Sequence, residues 1–183
     1  MIKIMSLPLF DHFENIPHRS RALRQGALLF DRDDPVREVL RVDCGEIQLR
    51  RRQIDGAEFI LQRAFAGALL AEASVNSATY HCAAVAVTDA RVTAWPRQPV
   101  QDMLAGNPAA AAAYAEYLAR EVRVARLRAE IASLRRVSER LDAWLTWHDG
   151  ILPPKGQWHT VAQEINSSPA ALYRELSRRR SET

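Results

Sequence analysis

The sequence predicts an α+β protein in which a small β-roll precedes a long helix and a C-terminal helix-turn-helix. Three observations support this fold class: short β-rich runs separated by turn residues, a long helical pattern from Pro108, and two short helical runs after Gly150. Of the 183 residues, 48% are apolar and 26% are charged, as in ordinary globular proteins. No run approaches the roughly 20 apolar residues of a membrane helix.

The N-terminal half alternates between β-rich runs and turn signals, which predicts a small barrel or jelly roll. Gly26 and Gly45 each precede such a run, and Asp55-Gly56 is a hairpin turn dipeptide. The runs expected as strands cover residues 27–30, 36–42, 46–51, 58–62, 83–87 and 91–95.

A long helix is expected to begin at Pro108, because proline suits the first turn of a helix. No residue interrupts the helical pattern until Asp149-Gly150. Apolar residues recur along it at alternating spacings of three and four, at Val124, Leu127, Ile131 and Leu134. This narrow stripe is typical of a coiled-coil seam and predicts a homodimer interface. The alternative is a helix packed on its own domain, but the stripe exceeds what one small barrel can cover.

The C-terminal pattern predicts two short helices around a tight turn. Thr160 is expected to cap the first helix, and Ser168 the second. Asn166 suits the left-handed backbone of the turn, since asparagine tolerates positive φ. The inner faces carry apolar residues, namely Val161, Ala162, Ile165, Leu172 and Leu176. The residues expected to face a DNA groove are Ser168, Pro169, Ala170, Tyr173, Arg174 and Arg178. A plain helical hairpin is the alternative.

Charge is distributed unevenly along the chain. The balance of basic and acidic residues is −1 over residues 1–119 and +4 over residues 120–183. A localised positive balance is typical of a surface that meets polyanions, although a basic solvated helix face gives the same count.

A glycine-punctuated β-roll, a long helix and a helix-turn-helix in this order resemble the Crp/Fnr family of bacterial transcription regulators. The resemblance covers the chain from about Ala22 to Arg179. Its residues include Gly26, Gly45 with Glu46–Leu49, Phe65–Ser74, Val85–Ala90, Asn107-Pro108 and Leu172–Leu176. It implies an effector-sensing β-roll over residues 1–107, a dimerisation helix over 108–137 and a DNA-binding domain over 138–183.

The implied function is a homodimeric transcription regulator that reads an inverted repeat in double-stranded DNA and, if it is an activator, contacts RNA polymerase. The usual two-stranded wing is missing after Leu176. Relatives that read the cyclic-AMP operator begin the reading helix with Arg-Glu, where this chain has Pro169-Ala170. Only Arg174 matches a contacting arginine of the family, so a different operator is expected.

The resemblance places the effector pocket at Ala71, Glu72, His81 and Cys82. In cyclic-AMP sensors of the family, a Gly-Glu pair and an Arg-Ser pair stand at these positions, and the arginine neutralises the cyclic phosphate. Neutral His81 is a poor replacement for a guanidinium group. The helix positions that contact adenine in those sensors are Ala125 and Arg126 here. The effector is therefore expected to be an unidentified small molecule other than cyclic AMP.

Cofactor and catalytic signals are weak. Cys44 and Cys82 are too few for a four-cysteine iron–sulfur cluster. His81 and Cys82 are competent haem ligands, but adjacent strand residues point to opposite faces, so surface and core positions are favoured over haem or metal binding. The cofactor is therefore left unassigned, with no metal site.

No catalytic residue is expected, because no paired carboxylates, nucleophile triad or phosphate loop occurs at usable spacing. The chain has no secretory signal and is expected to be cytoplasmic, reduced and away from membranes. The alternative to a DNA-binding regulator is a cyclic-nucleotide-binding-like module that acts through protein partners, with a degenerate helix-turn-helix as its interaction surface.

Overall fold

The computed structural model describes residues 8–52, 54 and 58–181. The chain divides into two compact units, Met1–Leu118 and Ala119–Thr183. The hairpin turn expected at Asp55-Gly56 lies outside the described residues.

The N-terminal unit is a β-roll built from two antiparallel sheets. Its strands are β1 (Arg19–Leu23), β2 (Leu28–Phe30), β3 (Glu38–Cys44), β4 (Ile47–Arg52), β5 (Glu58–Ala64), β6 (Leu69–Leu70), β7 (Ala83–Ala86) and β8 (Ala90–Pro96). Among the described residues, one sheet has the order β1-β8-β3-β6 and the other the order β2-β7-β4-β5. The chain thus crosses repeatedly between the sheets, as in a jelly roll, and the predicted fold class is confirmed.

The core of the roll lies between the two sheets. Leu40 and Val42 of β3 face Ile47 and Leu49 of β4 in one buried cluster, which also contains Val92 of β8. Inward residues are two apart on each of these strands because side chains alternate between the faces of a strand. The alternating runs seen in the sequence therefore form the core.

A second core covers the other face of the β1-β8-β3-β6 sheet. Three helices contribute to it: α1 (Pro8–Asp11), α2 (Arg97–Gly106) and the first part of α3 (Pro108–Ser133). Trp95 of β8 packs edge-on against Phe13, with ring centroids 4.9 Å apart. Tyr114 and Tyr117 of α3 are buried in the same cluster.

The C-terminal unit is helical. It contains the rest of α3, then α4 (Val137–Trp147), α5 (Trp158–Glu164) and α6 (Pro169–Ser181). These helices share one core, whose buried members are Ile131, Leu141, Trp144, Val161, Ala162, Ile165, Leu172 and Leu176.

The prediction of an unbroken helix from Pro108 to Asp149 is wrong, because α3 ends at Ser133 and α4 begins at Val137. The break is made by side chains that satisfy the backbone groups left open at the two helix ends. Glu139 accepts a hydrogen bond from the Arg136 backbone N–H at 3.0 Å. Arg140 Nε donates to the Leu134 carbonyl at 2.7 Å.

Candidate functional site

The predicted effector residues lie at the end of β6 and just before β7. Ala71 is buried and has a φ of 50°, which turns the chain from β6 into a short 3₁₀ helix, Glu72–Ser74. Glu72 Oε2 accepts a hydrogen bond from Gln62 Nε2 of β5 at 3.1 Å. The same Gln62 nitrogen donates to the Leu69 carbonyl at 3.2 Å. Gln62 therefore orients the one carboxylate of the expected pocket, a role that the sequence analysis missed.

His81 and Cys82 point to different environments. His81 is exposed, whereas Cys82 is fully buried in the core of the roll. Burial raises the pKa of the Cys82 thiol, and the charge of Arg51 opposes that rise. Arg51 donates from Nε and Nη2 to the His81 carbonyl, at 3.3 and 3.2 Å. The sequence indicated only that position 81 lacks an arginine. The contact between Arg51 and the His81 carbonyl could not be predicted, because it depends on how β4 pairs with β7.

Two tyrosines of α3 bond to the backbone next to Glu72. Tyr114 Oη donates to the Glu72 carbonyl at 2.6 Å. Tyr117 Oη accepts from the Leu69 N–H at 2.9 Å. Burial raises the pKa of Tyr114, and the Glu72 charge adds to that rise. The Tyr114 phenol therefore stays neutral, and the two hydrogen bonds hold the strand end against α3.

In the C-terminal unit, α5 and α6 are joined by a tight turn. Asn166 has a φ of 50°, as the sequence predicts for this position. The Ala171 N–H donates to Ser168 Oγ at 3.2 Å, so Ser168 caps α6. Thr160, expected to cap α5, lies inside that helix, because α5 begins at Trp158 after a 3₁₀ turn at Lys155–Gln157.

Arg140 of α4 holds this turn in place. Its Nη1 donates to the Asn166 carbonyl at 2.7 Å, and its Nε donates to Leu134. Trp144, one turn further along α4, donates from its indole to Glu164 Oε2 at 2.7 Å. These two side chains of α4 hold the end of α5 and the first part of the α5–α6 turn.

The outer face of α6 carries most of the predicted DNA-contacting residues. Ser168, Pro169, Ala170, Arg174 and Arg178 are exposed. Arg174 has no ion-pair partner among the described residues, whereas Arg178 bonds to Glu175 at 2.8 Å. Tyr173 is half-buried, because its ring packs against Trp158 with centroids 5.3 Å apart. The exposed face thus presents Arg174 most openly.

The stripe predicted as a dimer seam has another use within the chain. Ile131 is 2% exposed in the C-terminal core, and Leu127 packs against the same cluster. Ile131 and Leu127 thus pack within their own chain, and the expectation that the stripe is too long for such packing is wrong for these two residues. Val124 and Leu134 are half-buried.

The exposed apolar residues of α3 lie on another face. We call them the Val122 stripe: Val122, Ala125, Ala129 and Ala132, at spacings of three and four. Spacing alone could not separate a core stripe from a surface stripe, and both occur on this helix.

Comparisons with known proteins agree with this architecture. Residues 20–107 match the family model described as the cyclic nucleotide-binding domain. FixK2 from Bradyrhizobium japonicum is similar with a TM-score of 0.71 and 18% identity, over 91% of this chain and 86% of that one. The chain therefore has the fold of Crp/Fnr-type proteins. The regulator CLP from Xanthomonas campestris is similar to this chain with a TM-score of 0.66 and 17% identity, over 95% of this chain and 91% of that one.

A third Crp/Fnr-type structure, the Catabolite Activator Protein of Thermus thermophilus, has a TM-score of 0.52 and 23% identity, over 93% of this chain and 87% of that one. No curated protein matches the sequence significantly. Within the described ranges, no group of three or more His, Cys, Asp or Glu side chains is placed to hold a metal ion. In the same part of the chain, no helix is both long enough and apolar enough to cross a bilayer.

Proposed function

We propose that the chain is a homodimeric, DNA-binding transcription regulator whose β-roll responds to a small effector other than cyclic AMP. The observation that carries the proposal is the exposed Arg174 on the outer face of α6, held by a turn in which Asn166 has positive φ. A helix presented in this way fits the major groove. The basic balance of the C-terminal third supports the same partner.

Arg174 is proposed to read a guanine, since its guanidinium fork matches the two acceptors that guanine shows in the major groove. Ser168 is assigned to a phosphate contact. Pro169 is assigned to the first turn of α6, next to Ser168. Ala170 and Tyr173 are assigned to a thymine methyl group. A two-fold dimer presents α6 twice, so the operator is expected to be an inverted repeat with half-sites about one helical turn apart.

The test separates base contacts from phosphate contacts. Selection from a randomised DNA library gives the preferred sequence, and binding to it is then measured at several salt concentrations. Arg174→Ala is expected to cost about 1–3 kcal/mol and to relax one position in each half-site. Arg178→Ala is the matched control, expected to weaken all sequences alike and to reduce the salt slope by about one. If Arg174→Ala changes neither affinity nor preference, the alternative of a module that acts through protein partners is the better account.

The dimer is proposed to form along α3 through the Val122 stripe, in place of a seam centred on Ile131. Val122 is 46% exposed, and the three alanines allow close approach of a second helix. Val124 and Leu134, half-buried beside it, stay candidates for the edge of the interface.

Val122→Asp combined with Ala129→Asp tests this interface. The double variant is expected to be monomeric by light scattering while keeping its helical circular dichroism. Arg123→Glu places a carboxylate on the same helix away from the stripe and is expected to stay dimeric. A dimer that survives the double substitution contradicts the proposed surface.

Cyclic AMP is a poor match for the effector site. The Cys82 thiol is buried and uncharged, so it cannot neutralise a phosphate, and the guanidinium of Arg51 already donates twice to the His81 carbonyl. The fold does not fix the ligand, since the similar protein CLP is described as responsive to c-di-GMP. Calorimetric titration is expected to show no micromolar binding of cyclic AMP, because a missing charged partner costs about 2–5 kcal/mol. Micromolar binding would overturn this part of the proposal.

The route from effector to DNA is proposed to begin at Tyr114 and Tyr117. Their hydrogen bonds join α3 to the backbone on both sides of Ala71, so any ligand that shifts Glu72 also acts on α3. Tyr114→Phe keeps the ring and removes the bond to the Glu72 carbonyl. This variant is expected to retain DNA binding and lose its dependence on the effector.

A further inference from the structure

The C-terminal unit contains an apolar groove that the proposed DNA contacts do not use. Its volume is about 370 Å³, within the range of pockets that hold small molecules. Residues of α4, α5, α6 and the segment between α4 and α5 line it, namely Leu145, Leu152, Trp158, Leu176, Arg179 and Arg180.

The floor of the groove is apolar and partly open to water. Leu145, Leu152 and Trp158 are half-buried and pack against the periphery of the core, and Leu176 is 5% exposed. The Trp158 indole N–H is already bonded to the Pro153 carbonyl at 2.9 Å. The ring therefore presents its apolar surface, and a ligand that covers this floor is stabilised by displacing water from it.

The rim of the groove carries two arginines that differ in their partners. Arg179 bonds to Asp142 at 2.6 Å and to Glu175 at 2.7 Å. Arg180 has no ion pair in the part of the chain that the structure describes. Its guanidinium lies 5.8 Å from the Trp158 ring centroid, and its Nε donates to the Leu176 carbonyl at 3.3 Å. Arg180 thus holds a positive charge beside the apolar floor.

The groove opens away from the DNA-contacting face of α6. At 3.6 residues per turn, Leu176 lies about 200° around the helix from Arg174 and from Arg178. A ligand in the groove therefore leaves Arg174 accessible, and binding there does not depend on the proposed reading of DNA.

We propose that this groove binds a small amphipathic anion, such as a medium-chain aliphatic or aromatic carboxylate. The apolar body of the ligand lies on Leu152 and Trp158. The carboxylate pairs with Arg180, whose terminal N–H groups can donate to both of its oxygens. An apolar pocket with a few convergent polar groups is the usual form of a site for such molecules.

The experiment titrates octanoate into the full chain by calorimetry and follows the indole N–H of Trp158 by NMR, assigned with Trp158→Phe. Arg180→Gln is expected to weaken octanoate binding about tenfold, because a charge-assisted hydrogen bond is lost. Leu152→Ser removes part of the apolar floor and is expected to weaken octanoate binding more than Arg180→Gln does. Arg178→Gln, an exposed arginine on the opposite face of α6, is the matched control and is expected to bind octanoate as the parent chain does.

Octan-1-ol supplies the same chain length without the charge. It is expected to bind the parent chain more weakly than octanoate, and to bind the Arg180→Gln variant and the parent equally. Circular dichroism confirms that each variant is folded. The inference is overturned if millimolar octanoate leaves the Trp158 resonance unmoved, or if folded Arg180→Gln binds octanoate as well as the parent does. Neither result bears on DNA binding, which is measured separately.

Discussion

The core of the β-roll and the outer face of α6 differ in how some of their charged side chains are paired. In the β-roll, Glu46 and Arg63 form a 2.7 Å ion pair while only 13% and 10% exposed, and Glu72 is held by Gln62. On α6, the exposed Arg174 and Arg180 have no ion pair within the described ranges. Polar groups around an enclosed site need partners within the fold, because an unpaired buried charge is costly. A surface that meets polyanions instead leaves its cations in water until the partner arrives.

The two units also differ in the interactions that stabilise them. The substitution with the largest expected effect tests this difference. The C-terminal unit depends on one helical core, in which Ile131 is 2% exposed. Ile131→Ala is expected to lower the free energy of unfolding of this unit by about 2–5 kcal/mol, through lost burial and a cavity. Hydrogen exchange of α4, α5 and α6 locates the loss.

Val122→Ala is the matched control for that experiment, since Val122 is exposed on the same helix. It is expected to change the stability of the monomeric unit by less than about 0.5 kcal/mol. A loss from Ile131→Ala no larger than that from Val122→Ala would contradict the assignment of Ile131 to the core of the C-terminal unit.

The β-roll instead depends on tight backbone turns, and Gly45 tests this difference. Gly45 has a φ of 83°, and a Cβ there would overlap the Asp89 carbonyl and Ala90. Gly45→Ala is expected to cost about 2–4 kcal/mol, from left-handed strain and steric overlap together. Gly67 also has positive φ, at 89°, but open space around it, so Gly67→Ala should cost only about 1–2 kcal/mol. Equal losses by chemical denaturation would exclude the steric contribution.

Local signals explain which parts of the structure the sequence could predict. The α5–α6 turn was predictable because Asn166, Ser168 and Pro169 each have a conformational preference that acts within a few residues. Six strands of the roll were predictable because alternation follows directly from strand geometry, whereas β1 and β6 were not predicted. Thr160 is an exception, because the same kind of local preference predicted it as the cap of α5, whereas α5 begins two residues earlier, at Trp158.

Features made by distant contacts were not predictable in this way. The end of α3 has no glycine or proline to mark it, and depends on Arg140 bonding to Leu134 and Asn166. Arg51 reaches His81 only through the pairing of β4 with β7. A three-and-four spacing describes a core stripe and a dimer stripe equally well, so it could not assign Ile131 to the core.

Arg140 gives the next smaller effect, because it bonds to carbonyls just beyond the ends of α3 and α5. Arg140→Met keeps the aliphatic stem and removes the bonds to the Leu134 and Asn166 carbonyls. The substitution is expected to destabilise the C-terminal unit by about 1.5–3 kcal/mol, as for hydrogen bonds to a charged group. Arg135→Met, at an exposed arginine within the break between α3 and α4, is the control and should be close to neutral. Thermal unfolding of the three proteins checks this, and equal melting curves would show that the turn stands without Arg140.

The smallest expected effect concerns Glu175, the carboxylate of α6 that forms ion pairs with arginines. Hydrogen bonds from Arg178 and Arg179 hold the pKa of Glu175 at about 2, below its ordinary value of 4.5. Because the native pKa is the lower one, the stabilisation is complete above about pH 5 and is lost as the pH falls toward 2. Glu175→Gln is therefore expected to lower the free energy of unfolding at neutral pH, by less than Arg140→Met does, and to match the parent chain near pH 2.

Denaturant titrations at a series of pH values measure that difference, with Glu130→Gln, at an exposed carboxylate of α3, as the matched control. The same substitution sharpens the contrast between the units, because it releases Arg178 on the face proposed to contact DNA. Binding to DNA is then expected to strengthen at low salt, since Glu175 no longer competes with the phosphates for Arg178. A Glu175→Gln variant whose stability deficit is independent of pH would show that Glu175 acts through packing and not through its charge.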